Sequence, residues 1–308
     1  MGRYILARLF QGLIAGLGVI VLVFFMVRIT GDPANAMLPK EASIEARAAF
    51  RHQMGFDRPL TSQLVDYLIR IAQGDLGVSV RTRQPAISLL LGRLPATMEL
   101  ALAGLALAVL VGVSIGVLAA AKPGSVWSGL SNLLGVVSLS TPSFWVGLLL
   151  ILLLSVKLHI FPVAGRSGLK SLVLPAVTMS LTCVGQLTRI TTATMRDVLR
   201  QDYILVAHAK GLRTKRVNFR HALRNAAIPI VTLIGVNFGY MMGGSVVIET
   251  VFSWPGVGWL TFQAIQSRDF VLIQAITLFT SWVVLVLSLF IDLLYGVLDP
   301  RVSYGRDR

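Results

Sequence analysis

The side chains able to make or break bonds are few and scattered. Four histidines, His52, His159, His208 and His221, stand far apart, with no cysteine or carboxylate at the spacing that holds a metal ion. Gly165-Arg166-Ser167-Gly168 has the form that presents a nucleophilic serine. Inside a bilayer that chemistry needs a histidine within hydrogen-bond reach, and no apolar run contains one. No Gly-Lys-Ser or Gly-Lys-Thr occurs, so the chain has no phosphate-binding loop and hydrolyses no ATP itself. The lone Cys183 lies in an apolar run and has no partner for an intrachain disulfide. These absences argue against an enzyme and against a resident metal or cofactor. What stands out is positive charge: residues 196–224 carry eight Lys or Arg against two Asp in 29 positions.

The elements around that stretch say where it must lie. Of 308 residues, 55% are hydrophobic and only 14% charged, with a mean hydropathy of +0.76. A soluble domain carries nearly twice that charge density, so the composition is that of an all-α, polytopic membrane protein. A net charge of +14 suits nucleic acid in principle. Here the basic residues sit beside apolar runs, as at the flanks of membrane helices, and no nucleic-acid partner is expected.

Six spans are expected. Leu9–Val27 is charge-free for 19 residues, enough to cross ~30 Å of hydrocarbon. Ala34-Asn35-Ala36 has the form of a signal-peptidase site, but the run is too long for a signal peptide and Arg28 intervenes, so an uncleaved first span is preferred. Leu100–Ala121 follows, then Leu130–Val156, a long helix that Pro142 is able to kink. Ser171–Thr188, Asn225–Ile248 and Phe270–Ile291 complete the set. Residues 30–95 form the one long hydrophilic segment, with amphipathic stretches at Ile44–Met54 and Leu64–Ile71 that read as short surface helices. The scheme is residues 1–29 as N-terminus and first span, 30–95 outside, 96–298 as a five-helix core with a basic loop at 196–228, and 299–308 as tail.

Six spans place both termini, the turn at Lys122 and the basic loop on one side, with fourteen basic residues against four in the opposite short loops. That imbalance puts the termini and basic loop in the cytoplasm and residues 30–95 and 249–269 in the periplasm. The basic stretch cannot lie in hydrocarbon, where each central charge costs ~2.5–3.5 kcal/mol. Leu199, Tyr203, Val206 and Ala207, then Val217 and Leu223, recur at helical spacing across a break at Gly211. The segment reads as a surface helix–turn–helix that docks a soluble partner, or as a solvated loop that only sets topology. Gly235, Gly239 and Gly243 recur on one face, which lets helices approach closely. Glu99, Arg189 and Asp292 lie near span ends, where snorkelling accounts for them.

The chain resembles the permease subunits of bacterial ATP-binding-cassette importers, in the dipeptide/oligopeptide/nickel branch and as the first of the paired permeases. The motifs in order are Gly31-Asp32-Pro33-Ala34, Gly74-Asp75-Leu76-Gly77, Arg93-Leu94-Pro95-Ala96-Thr97-Met98-Glu99-Leu100 and Thr141-Pro142-Ser143-Phe144-Trp145. Then come Asp202-Tyr203, Ala209-Lys210-Gly211-Leu212, residues 221–229 and 249–258, Arg268-Asp269 and Asp299-Pro300-Arg301. The resemblance implies a type I importer permease fold and a role for the basic loop as the coupling loop that inserts in a groove of the ATPase. Its candidate contacts are Asp202, Tyr203, Val206, Ala207, His208, Ala209, Lys210, Gly211 and Leu212. The general importer pattern there is Glu-Ala-Ala, three residues, Gly. This chain has Leu205-Val206-Ala207 before Gly211, and His208 where relatives usually carry Arg.

The resemblance further implies a second homologous permease, two ATP-binding subunits that hold ATP and magnesium, and a periplasmic or lipid-anchored solute-binding protein. Gln186, Arg189, Asn237, Gly239, Gly243 and Glu249 are the candidate path or gate residues, and Trp254, Pro255 and Gly256 the candidate periplasmic contact. Thr178 and Thr182 add hydroxyls to a path suited to a polar solute. A self-sufficient secondary transporter is the alternative. It predicts inverted repeats and ionisable groups deep in the spans, and neither is found. A membrane scaffold accounts for topology but not for the basic loop. The solute is not legible in the chain.

Overall fold

A computed structural model of the chain describes residues 2–30, 43–53, 55 and 57–298. Gly31-Asp32-Pro33-Ala34, Ala34-Asn35-Ala36, Asp299-Pro300-Arg301 and the tail lie outside the described residues, as does the side chain of Asp292. Twelve main helices follow one another: α1 Gly2–Thr30, α2 Ile44–Gln53, α3 Leu60–Ala72, α4 Ala86–Ala121, α5 Val126–Ser140, α6 Ser143–Leu150, α7 Leu169–Leu199, α8 Asp202–Ala209, α9 Leu223–Gly244, α10 Val246–Val251, α11 Val257–Gln266 and α12 Phe270–Leu298. Wide π turns extend α6 over Ile151–Lys157 and lead into α9 over Val217–Ala222. Among the described residues five helices are long and apolar enough to cross a membrane, and α5 with α6 makes a sixth crossing if the bent pair counts as one.

That pair corrects the expectation of one long kinked helix over 130–156. α5 and α6 meet at 102°. Pro142 disfavours helical geometry at the residue before it, and Thr141 is extended, with φ −113° and ψ 124°, so that α6 starts afresh at Ser143.

The chain divides into two compact units. One comprises residues 2–97 and 255–286, the other residues 98–254 with the chain end. The first is built around α11: Ala86 and Leu90 of α4 pack with Val257, Leu260 and Ala264, and with Leu272, Ala275 and Ile276 of α12. Ile20 and Val23 of α1 meet Leu278 of α12, with Tyr67, Leu68 and Ile71 of α3 packed against them. Two polar contacts lock this arrangement. Thr97 Oγ1 accepts the Val257 N–H at 2.8 Å. Asp269, fully buried, caps α12 through the Leu272 N–H at 3.1 Å and accepts the Ser79 hydroxyl at 2.6 Å. Residues 255–269, expected as a loop, are mostly the buried helix α11.

In the second unit α7 is the centre and the most buried of the membrane-length helices. Its neighbours approach on glycines. A Cβ at Gly112 would lie 2.9 Å from that of Leu187, one at Gly116 would lie 2.6 Å from that of Thr191, and one at Gly185 of α7 would run into Ser138 of α5. Hydroxyls are absorbed locally: Thr178, Thr188 and Thr192 each donate to the carbonyl four residues back. Such small-residue seams hold helices together where apolar burial gives little driving force. The outer faces of α1, α5 and α6 expose Leu and Val to an extent that suits lipid rather than water.

Candidate functional site

The basic segment folds as a hairpin. Its first arm, α8, stops at Gly211, which adopts φ +73°. The Gly211 N–H bonds the His208 carbonyl at 2.9 Å and the Leu212 N–H bonds the Ala207 carbonyl at 3.3 Å. This is a left-handed helix stop that favours glycine. The returning arm is the π turn, which buries Val217, Asn218 and Ala222 before α9 begins. The arms are tied where Asn225 Nδ2 donates to Tyr203 Oη at 2.8 Å and to the His221 carbonyl at 3.1 Å.

Burial sorts the residues of α8. Ile204 alone is fully buried and anchors the helix. Tyr203, Leu205, Val206, His208, Ala209 and Lys210 are exposed, and Ala207 and Leu212 half-buried. The apolar stripe expected from periodicity at Tyr203 and Val206 is therefore turned outward. Leu205, 68% exposed, and Phe219, 39% exposed, extend that apolar surface. Neither stood out among the candidates, nor did Ile204 or Asn225. The available signal was apolar side chains in a segment too charged to be membrane.

Two clefts border α7. A cavity of about 470 Å³ is enclosed by the start of α6, α7, α9 and α10. Gln186, Thr182 and Asn237 bring amides and a hydroxyl into walls otherwise made by Phe144, Met179, Tyr240 and Ile248. The Asn237 amide donates to the Leu233 carbonyl at 2.9 Å, which orients it. The second cleft, about 550 Å³, runs between α5 and α7 and is lined by Arg189 and Arg196. The structure thus brings Gln186 and Asn237 together and sets Arg189 apart.

Other candidates are placed differently. Glu249 lines neither cleft; it is fully buried and accepts the Ser245 hydroxyl at 2.9 Å. A Cβ at Gly239 would meet nothing within 4 Å among the described residues, and Gly243 is exposed. Trp254 requires a correction. Expected as a candidate periplasmic contact, its side chain is completely buried, and its backbone N–H closes the stop of α10 onto the Glu249 carbonyl at 2.8 Å. Gly256 is also buried and Pro255 half-buried. Glu99, assigned to snorkelling, pairs with Arg166 at 2.6 Å across the chain to the segment before α7. No carboxylate–histidine cluster able to hold a metal occurs among the described residues.

Residues 112–304 match the family described as binding-protein-dependent transport system inner membrane component, and residues 1–101 match its N-terminal family. The chain belongs to this family of importer permeases. It is 37% identical to the oligopeptide transport system permease protein AppB of Bacillus subtilis (strain 168) over 316 residues, covering 99% of this chain and all of that one. It is 37% identical to the glutathione transport system permease protein GsiC of Escherichia coli O6:H1 over 306 residues, with 99% and 100% covered. To the dipeptide transport system permease protein DppB of Escherichia coli K12 it is 34% identical over 339 residues, with the same coverage. A chain from the MetNI methionine ABC transporter in an inward-facing conformation superposes with a TM-score of 0.54 at 15% identity, covering 69% of this chain and 97% of that one. That likeness shows a shared fold. The protein is a multi-pass permease subunit of an ABC importer, and the self-sufficient transporter reading falls away.

Proposed function

We propose that this permease forms half of a path for peptides or a related small solute, with a second homologous permease as the other half. Two ATP-binding subunits, which hold the ATP and magnesium, dock on the exposed face of α8, and a periplasmic or lipid-anchored binding protein delivers the solute. The termini and hairpin face the cytoplasm, in keeping with the excess of basic residues on that side. The observation that carries this reading is the hairpin itself: apolar residues point outward from a short helix that is anchored by Ile204 and stopped by Gly211, with the exposed cations Lys210 and Arg213 at its end. A solvated loop has no use for exposed Leu205, Val206 and Phe219.

The solute path is the cavity containing Gln186 and Asn237, whose amides serve both peptide N–H and carbonyl groups without a fixed charge. The names of the relatives, oligopeptide, dipeptide and glutathione, share the amide bond as their common chemistry. The test is uptake by proteoliposomes holding the complete assembly with its binding protein. Uptake of a labelled di- or tripeptide that needs internal ATP is expected. ATP-driven uptake of a solute without amide bonds, with peptides neither carried nor competing, overturns the substrate assignment.

A further inference from the structure

We propose that the cleft between α5 and α7 binds the phosphate of an anionic phospholipid, with an acyl chain laid along α5. The inference goes beyond the transport reading and does not depend on what the cavity carries. Arg189, Thr192, Ala193 and Arg196 line one wall of the cleft. Their spacing of three, four and seven residues puts them on one stripe of α7. The backbone positions of the two arginines are ~10 Å apart along the helix axis. Neither has an ion-pair partner among the described residues; the one contact is a long bond of 3.5 Å from Arg196 to the Ser128 hydroxyl. Asp197, the neighbouring acid, does not line the cleft.

The opposite wall is amphipathic. Ser131 Oγ lies 3.1 Å from Thr192 Oγ1 and closes the floor. Val136 and Leu139, which are 63% and 62% exposed, form the open side. Leu133 continues that exposed apolar row. Depth also fits. The 31 residues of α7 reach ~46 Å, well beyond ~30 Å of hydrocarbon, so Arg196 near its end stands at headgroup level and Arg189 at the boundary. A fork of N–H donors matches phosphate oxygens, and basic pockets between membrane helices recruit acidic headgroups. A free phosphate ion satisfies the arginines but leaves the apolar row unexplained; a phospholipid uses both.

The test uses the complete assembly in nanodiscs of phosphatidylcholine doped with spin-labelled phosphatidylglycerol or spin-labelled phosphatidylcholine. A motionally restricted population selective for phosphatidylglycerol is expected. Its relative affinity falls about fivefold in Arg189→Gln or Arg196→Gln and roughly twenty-fivefold in the double variant. Arg200→Gln, the same charge change off the cleft, leaves it unaltered. Unchanged selectivity in the double variant overturns the proposal. So does displacement of the labelled lipid by inorganic phosphate, which assigns the cleft to a soluble anion. Loss of the second permease from the double variant, with no selective lipid in the parent, assigns it to a subunit contact instead and equally overturns it. Should the double variant fail to assemble, photoactivatable phosphatidylglycerol on the unaltered assembly decides. Adducts within residues 132–140 or 189–196 are required, and adducts only elsewhere refute the site.

Discussion

Four helices end in the same way, each with a residue of positive φ just past its last turn: Gly74, Gly211, Ser253 and Arg268. In each case the following N–H reaches back five residues, from Asp75 to Arg70, Leu212 to Ala207, Trp254 to Glu249 and Asp269 to Ala264. Family motifs sit at all four, so part of what they encode is where a helix stops. Gly211→Val forces a β-branched residue into the left-handed region at a cost of ~1–2 kcal/mol. The stop of α8 then frays. Substrate-stimulated ATPase activity of the assembly is expected to fall severalfold while the chain still inserts; undiminished stimulation places the coupling contact elsewhere. Tyr203→Phe removes the acceptor for Asn225 but keeps the ring. It deletes one bond worth ~1 kcal/mol and is expected to lower coupling less than Gly211→Val, about twofold; Asn225→Ala, which also loses the bond to the His221 carbonyl, should lower it at least as much. A larger effect of Tyr203→Phe than of Asn225→Ala would mean that the hydroxyl meets the ATPase directly.

At the scale of elements, glycine seams and one buried carboxylate set the packing. Gly116→Leu places its Cβ where Thr191 already stands. Overpacking of this kind costs ~1–3 kcal/mol, so the thermal midpoint of the purified assembly should drop; Gly124→Ala, with nothing within 4 Å, tests only the strain of its φ of +76°. Asp269→Ala removes the cap of α12 and strands the Ser79 hydroxyl in the same step. The loss is ~2–3 kcal/mol, read as protease cleavage between residues 75 and 85; resistance equal to the parent refutes the clamp. The existence of these helices was legible from apolar runs alone. The break at Pro142 is legible only as a kink, because proline disfavours a helical predecessor without fixing whether the helix bends or restarts: Pro95, Pro175 and Pro229 all stand inside continuous helices. The burial of Trp254 is not legible, because a loop-like Trp-Pro-Gly string gives no sign of it.

For the whole molecule, charge asymmetry carries the expected orientation and long-range packing carries the division into units. The first is visible in a string of letters, since the basic residues of loops can be counted. The second is not: residues 255–286 join the N-terminal unit through pairs such as Ser79 with Asp269, nearly two hundred positions apart. Cys183 is the only cysteine and is buried, so Cys183→Ser gives a background for single-cysteine mapping. Arg213→Cys is expected to react with an impermeant maleimide only in inside-out vesicles, and Gln73→Cys only in right-side-out ones. The reverse pattern turns the protein over and removes the hairpin from any cytoplasmic ATPase.

The seam at Gly185 lies almost midway along α7, with ~21 Å of helix on the hairpin side and ~24 Å on the other. The grip is not confined to that point: the seams at Gly104, Gly112 and Gly116 hold α7 from Met179 to Thr191. A stroke taken up at the hairpin is therefore expected to carry those neighbours along with α7 instead of letting it slide between them.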